Sequence, residues 1–142
     1  MIVYLDSSVL LRVALGQPDV LPEWGQMKRV ISSVLIETES LRTLDRLRIR
    51  ARLSDLEVAS RRSKLFTLLD SIEVVDLDER VLGRAGQPMP TELGTLDALH
   101  LATAIVWREL NVIKLVFATH DRTLAIAARA HGFKVIGASS GD

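Results

Sequence analysis

Four carboxylates, Asp6, Glu39, Asp97 and Asp121, occupy positions from which chemistry could be done in common. Asp6 directly follows the short apolar run Ile2–Leu5, and Asp121 follows the run that ends near Thr119. Glu39 falls in the early turns of a long helical segment, and Asp97 in the first turn of another. Clustered carboxylates repel and raise one another's pKa unless a cation joins them. Magnesium suits such a set, because it prefers oxygen ligands and keeps several of its waters. A metal held this way can activate a water and neutralise the charge that builds on a phosphodiester in the transition state. The chain has no cysteine, and its three histidines include no pair at zinc-ligand spacing, which disfavours zinc.

Each acid also has a purely structural reading. Asp6 and Asp121 can cap helices, Asp97 can complement a helix dipole, and Glu39 can pair with Arg42 or Arg46 on the surface. Glu37 competes with Glu39. At roughly 100° per residue the two point to nearly opposite sides of their helix. Ile36, Leu41, Leu44 and Leu47 mark an apolar arc that includes Glu37, so periodicity alone nominates Glu37. An active-site cleft interrupts the inside–outside pattern, however, and leaves the choice open.

The elements that must position these residues alternate. Ile2–Leu5 reads as a buried strand, followed by a helix to about Leu15 that Ser7 or Ser8 can cap. Pro22 begins a short helix through Trp24 and Met27. Arg29–Ser32 reads as a second strand, and a long helix runs from about Val34 to Arg52. Ser54 and Glu57 form a capping-box pattern that opens a helix ending near Leu69. Ile72–Val75 is a third strand, Asp78 caps a short helix that ends by Gly86, and residues 87–90 form a loop. Thr95 can cap a helix from Leu96 to about Leu110. Leu115–Ala118 is a strand, Arg122–Ala130 a helix, and Lys134–Ile136 the last strand. This order implies an α/β fold: a central, mostly parallel sheet covered by helices on both faces. In such sheets ligands bind at the carboxyl ends of the strands, where Asp6 and Asp121 fall.

The 142 residues fit a single domain spanning 1–142, and 48% hydrophobic with 25% charged residues point to a packed core. No apolar run is long enough to cross a membrane, and the N-terminus lacks the pattern of a secretory signal. Together with the absence of cysteine, this suits a reducing cytoplasm. The formal net charge is zero, but a basic strip runs from Arg42 through Arg46, Arg48, Arg50, Arg52, Arg61 and Arg62 to Lys64, against only Asp45, Asp55 and Glu57. Such a strip could hold a phosphate backbone, or could be a pair of solvated helices.

Four segments resemble, in order, the motifs of PIN-domain nucleases. Tyr4-Leu5-Asp6-Ser7-Ser8 is similar to the opening aspartate motif, and Ser32 through Arg42 to the second, which assigns its glutamate to Glu39. Thr95-Leu96-Asp97-Ala98-Leu99-His100-Leu101-Ala102-Thr103-Ala104 is similar to the third. Phe117-Ala118-Thr119-His120-Asp121-Arg122 resembles the last. Glu37 is an extra acid in the second motif. The small size resembles a VapC-type toxin of a toxin–antitoxin pair. The resemblance implies a PIN-like three-layer fold, magnesium- or manganese-dependent endoribonuclease activity, homodimerisation and a VapB-type antitoxin partner.

On this reading Asp6 and Asp97 are the principal metal ligands, and Glu39 and Asp121 complete the site directly or through waters. Ser7 and Thr119 orient them, or serve as a helix cap and a strand-end hydroxyl. Arg42 and Arg46 are candidate RNA backbone contacts. His100, one turn from Asp97, is read as a buried structural histidine rather than a general base, and His120 and His131 as surface or turn residues. Trp24 and Trp107 fit core packing or a subunit contact better than base stacking. Two other classes remain open: an inactive binding module acting through a protein partner, and a magnesium-dependent phosphoryl-transfer domain. The second lacks its usual acid two residues after Asp6, where Ser8 stands, and a suitably placed lysine.

Overall fold

The computed structural model describes residues 1–140. Five short strands form one sheet: β1 (Ile2–Leu5), β2 (Arg29–Ser33), β3 (Ile72–Val75), β4 (Val116–Ala118) and β5 (Lys134–Ile136). Their order across the sheet is β3-β2-β1-β4-β5, and every neighbouring pair is parallel. The helices are α1 (Ser7–Ala14), α2 (Leu35–Arg50), α3 (Asp55–Leu69), α4 (Glu79–Ala85), α5 (Thr95–Asn111) and α6 (Arg122–Ala130), with a single 3₁₀ turn at Trp24–Gln26. The predicted alternation is therefore the observed one.

Helices cover both faces because both faces of the central strands are apolar. Along β1, side chains alternate between two cores. Tyr4 joins Ile31, Leu101, Ile105, Phe117 and Leu124 under α5 and α6. Val3 and Leu5 join Val9, Leu10, Ile36 and Leu65 on the side of α1 and α3. On β4, Phe117 faces the first core while Val116 and Ala118 face the second. Trp107 is buried in the first core, with the Arg29 guanidinium 5.3 Å from its ring centre, and Trp24 packs against the second. Both tryptophans thus serve packing.

Connections from β1 proceed through β2 to β3 on one side of the sheet, then continue with β4 and β5 on the other. The reversal lies between β1 and β4, paired in register with Leu5 opposite Ala118. Their carboxyl ends diverge into α1 and α6, so a crevice opens there.

Of the caps offered for α1 and α5, Asp6 takes the first, and Thr95 does not take the second. Neither Ser7 nor Ser8 caps α1. Asp6 does, and its carboxylate accepts from the Ser8 amide at 2.9 Å. Thr95 is the first helical residue of α5, and Gly94 stands at the cap without a side-chain bond. In each case the residue before the hydroxyl already has the extended backbone a cap requires. The capping box of Ser54 and Glu57 and the cap at Asp78 form as expected.

Helix α5 ends at Val112 in the left-handed conformation, φ 52°. A β-branched residue there meets its own carbonyl, at a cost of about 1–2 kcal/mol that glycine avoids. Val112 is also 89% exposed, so little packing is lost on replacement. Val112→Gly is expected to stabilise the protein by about 1 kcal/mol in urea unfolding, without a change in the denaturant slope.

Candidate active site

The crevice is built around a carboxylate held in place by hydroxyls. Asp6 is 4% exposed. Its Oδ1 accepts from the Ser8 amide and, at 2.5 Å, from the Ser8 hydroxyl. Its Oδ2 accepts from Thr119 Oγ1 at 2.6 Å. Thr119 Oγ1 in turn accepts from the Asp121 amide at 3.0 Å, and Ser8 Oγ accepts from the His120 amide at 3.0 Å. The ends of β1 and β4 are thereby sewn together by two hydroxyls. Burial raises the pKa of Asp6, while the bonds from Ser8 and Thr119 work in the opposite direction.

Glu39 is half-buried on α2. Its Oε1 lies 2.5 Å from His100 Nε2, and the Ser7 hydroxyl donates to Oε2 across a longer 3.5 Å. His100 Nδ1 lies 2.8 Å from the Tyr4 hydroxyl. Glu37 is exposed, contrary to the apolar arc that nominates it. The buried stripe of α2 is Ile36, Ser40 and Leu44, and a small serine within it is invisible to a hydrophobicity reading. Glu37 lies beside that stripe, over an open cleft of about 220 Å³ lined by Val34, Phe66 and Leu69.

Asp97, in the first turn of α5, has a raised pKa. Burial is the largest cause, followed by the charges of Asp121 and Asp6; His100 works in the opposite direction, and the charge of Glu39 adds a smaller rise. All three other acids thus act on Asp97 from different elements. Asp121 is exposed at the cap of α6, where its Oδ1 accepts from the Leu124 amide at 2.8 Å. Its capping and site positions coincide.

Beside Glu39 a groove of about 250 Å³ is lined by Ser7, Leu35, Thr38, Arg42, Arg46 and Leu96. The rest of the basic strip is partly neutralised. Arg42 and Arg48 both pair with Asp45, at 2.9 Å each, and Arg62 lies over the Phe66 ring. Arg46 bonds the Thr43 hydroxyl. His120 lies in the turn between β4 and α6, one of the two places expected for it. It is partly buried with Nδ1 2.8 Å from the Gly137 carbonyl, because the β4–α6 turn folds back on the end of β5.

Ser8 and Tyr4 are the polar contributors that sequence reading does not single out. A second hydroxyl after the strand-end aspartate is a usable signal for Ser8. Nothing local marks Tyr4, whose partner lies 96 residues away.

The donor set fits a hard divalent cation by chemistry and charge: four carboxylates, with Asp97 penalised by the other three. Among the described residues no three acids or histidines are close enough to hold one ion in common. Binding one would therefore require side-chain movement, most readily at Asp97, which the strand-end hydroxyls do not hold.

Residues 3–130 match the family model of the PIN domain. The chain is 35% identical to Ribonuclease VapC46 of Mycobacterium tuberculosis over 96% of its length and 98% of that protein. Its fold is similar to a chain in the crystal structure of VapBC2 from Rickettsia felis bound to a promoter DNA fragment. That match has a TM-score of 0.66 and 14% identity, and covers 95% of this chain and 97% of the other. A chain from VapBC-5 of Mycobacterium tuberculosis, a member of the VapBC family of toxin–antitoxin systems, superposes with a TM-score of 0.58. It is 20% identical over 95% of this chain and 97% of that one.

The raised pKa of Asp97 has a stability consequence. A folded-state pKa above the unfolded value means that the ionised group is disfavoured in the fold. The metal-free protein therefore loses stability as pH rises from the unfolded Asp97 pKa through the folded one. Asp97→Asn is expected to raise the midpoint of thermal unfolding at pH 7 in the presence of EDTA. The gain should shrink at acid pH, where wild-type Asp97 is itself protonated. Equal midpoints at pH 7 would show that neither burial nor the neighbouring acids penalise ionised Asp97.

Proposed function

The chain belongs to the PIN-domain family, on its VapC branch, and we propose that it is a metal-dependent endoribonuclease, the toxin of a type II toxin–antitoxin pair. The observation that carries this reading is the raised pKa of Asp97: burial first, and then the charges of three acids on three other elements, disfavour its ionised form at the mouth of the sheet crevice. Such an arrangement opposes folding unless a cation offsets it, and a relative of 35% identity is named a ribonuclease.

In this reading Asp6 and Asp97 hold a magnesium or manganese ion, and Glu39 and Asp121 complete its shell directly or through water. When bound, such an ion would activate water and offset phosphodiester charge. The chain's own residues set the frame. Ser8 and Thr119 hold Asp6 in one orientation by donating to both its oxygens. Thr119 also fixes where α6 begins by accepting the Asp121 amide. Ser7 stands between β1 and Glu39. Arg42 and Arg46 flank the groove beside Glu39, where a phosphate backbone can run past the acids. Arg46 is the freer charge of the two, since Arg42 is paired with Asp45.

The protein acts in this reading as one domain over residues 1–142, as a homodimer in the cytoplasm, restrained by a VapB-type antitoxin. Its VapC relationship supports the partner. Among the described residues no helix is long and apolar enough to cross a membrane.

Purified protein is expected to cleave RNA with magnesium or manganese and to stop on addition of EDTA. Asp6→Asn and Asp97→Asn should each lower the rate by more than about a hundredfold, beyond the loss typical of groups that only support a metal ligand. Circular dichroism should be unchanged. Full activity in either variant would sink the assignment, and metal-independent silence of the wild type would favour a pure binding module. Arg46→Ala should weaken RNA binding uniformly across sequences and reduce the slope of log K against log salt by about 0.7 on single strands. An unaltered slope would take Arg46 out of the RNA path.

A further inference from the structure

Two polar side chains buried beneath the crevice serve neither as acids nor as strand-end hydroxyls. Tyr4 is fully buried on β1, and His100 is 1% exposed on α5. The Tyr4 hydroxyl lies 2.8 Å from His100 Nδ1, and His100 Nε2 lies 2.5 Å from Glu39 Oε1. The three residues thus connect β1, α5 and α2 in one chain that ends on a carboxylate of the site. Resting on the nuclease reading, we infer that His100 is a positioning residue: its Nε2–H holds the Glu39 carboxylate toward the metal crevice, and the Tyr4 hydroxyl fixes the ring that makes this bond.

The proton positions follow from the inventory of donors. A carboxylate oxygen and a bare imidazole nitrogen are both acceptors, and two acceptors do not approach to 2.5 Å without a proton between them. With Glu39 as a carboxylate, the proton between them sits on Nε2, which donates to Glu39. Burial pushes the Tyr4 pKa far up, so the phenol keeps its proton and can donate it to Nδ1. Two other hydroxyls border the Tyr4 oxygen, and neither donates to it, because each gives its proton to a main-chain carbonyl. Ser32 donates to the Leu5 carbonyl and Thr103 to the Leu99 carbonyl, both at 2.6 Å.

This arrangement excludes His100 as the base that takes a proton from a reacting water. Both ring nitrogens are engaged, and the ring is sealed from solvent. It also gives Glu39 what Glu37 lacks. One turn of α5 separates Asp97 from His100, so the same helix presents one acid and the donor that aims another.

The first test uses the full chain without metal or RNA. Long-range ¹⁵N–¹H correlation spectra should show His100 protonated at Nε2, with a far-downfield proton that moves upfield in Glu39→Gln. An unprotonated Nε2, or a proton indifferent to Glu39→Gln, overturns the inference. The second test measures Mn²⁺ affinity by calorimetry and cleavage by steady-state kinetics. His100→Leu should lower Mn²⁺ affinity and kcat by roughly 10- to 100-fold with KM for RNA unchanged, the scale for losing the partner of a metal ligand. His100→Gln keeps an amide donor for Glu39 and should recover most of both, with Tyr4→Phe in between. Wild-type Mn²⁺ affinity in His100→Leu, or a glutamine variant no better than leucine, overturns the inference. The two readings separate cleanly. A wild type that shows the Nε2–H signature but neither binds Mn²⁺ nor cuts RNA refutes the nuclease and leaves the bond standing. Metal-dependent cleavage with a bare Nε2 refutes the positioning role alone.

Discussion

The bond from Thr119 to Asp6 joins residues 113 positions apart, and the candidate site depends on it. It lies where the strand order reverses, between β1 and β4, the place at which a parallel sheet leaves its two central strand ends uncovered. Thr119 accepts the Asp121 amide with the oxygen whose proton it gives to Asp6. Ser8 does the same between Asp6 and the His120 amide. Two hydroxyls, each donor to a carboxylate and acceptor from a backbone amide, turn two loose strand ends into one rim. The rim also constrains β5. Gly137 sits at φ 94°, where a Cβ would stand 2.6 Å from the Thr119 carbonyl oxygen. Only glycine fits against the strand end that carries the hydroxyl.

Charge works against this rim. Burial opposes the ionised forms of Asp6 and Asp97, and Asp97 feels all three other acids. Part of the compensation comes from the helices. Asp6 and Asp121 are the N-caps of α1 and α6, and Asp97 is in the first turn of α5. Free amides and the positive end of the helix dipole favour an anion at each of these places. Capping and chemistry therefore do not compete for these residues. The strand-to-helix junction that needs an acid to start the helix also points that acid into the crevice. Glu39, farther along its helix, lacks this support and is held instead by His100.

Much of the fold is legible locally. The apolar runs, the capping box at Ser54 and the glycine and proline breaks locate the elements because each reflects backbone geometry within a few residues. The cap at Asp6 is among those the sequence offers, and the one expected at Thr95 falls one residue earlier in the same local code, on a glycine with extended backbone. The choice between Glu37 and Glu39 is of another kind. A helical wheel counts apolar residues, but burial on α2 passes through Ser40, and the side near Glu37 borders an open cleft against α3. What covers a helix is decided by its neighbours, not by its own periodicity.

The sequence by itself determined an alternating α/β chain and the strand-end and helix-start positions of the four acids, because period, capping and turn chemistry act over a few residues. It also carried the family motifs. Only the tertiary structure decided that the strands run β3-β2-β1-β4-β5, which brings the Asp6 and Thr119 ends together. It alone exposed Glu37, placed His100 between Tyr4 and Glu39, and turned His120 inward toward Gly137. Each of those outcomes is a contact between residues distant along the chain. Its energy comes from excluding water and matching donors to acceptors across elements, which no local pattern records.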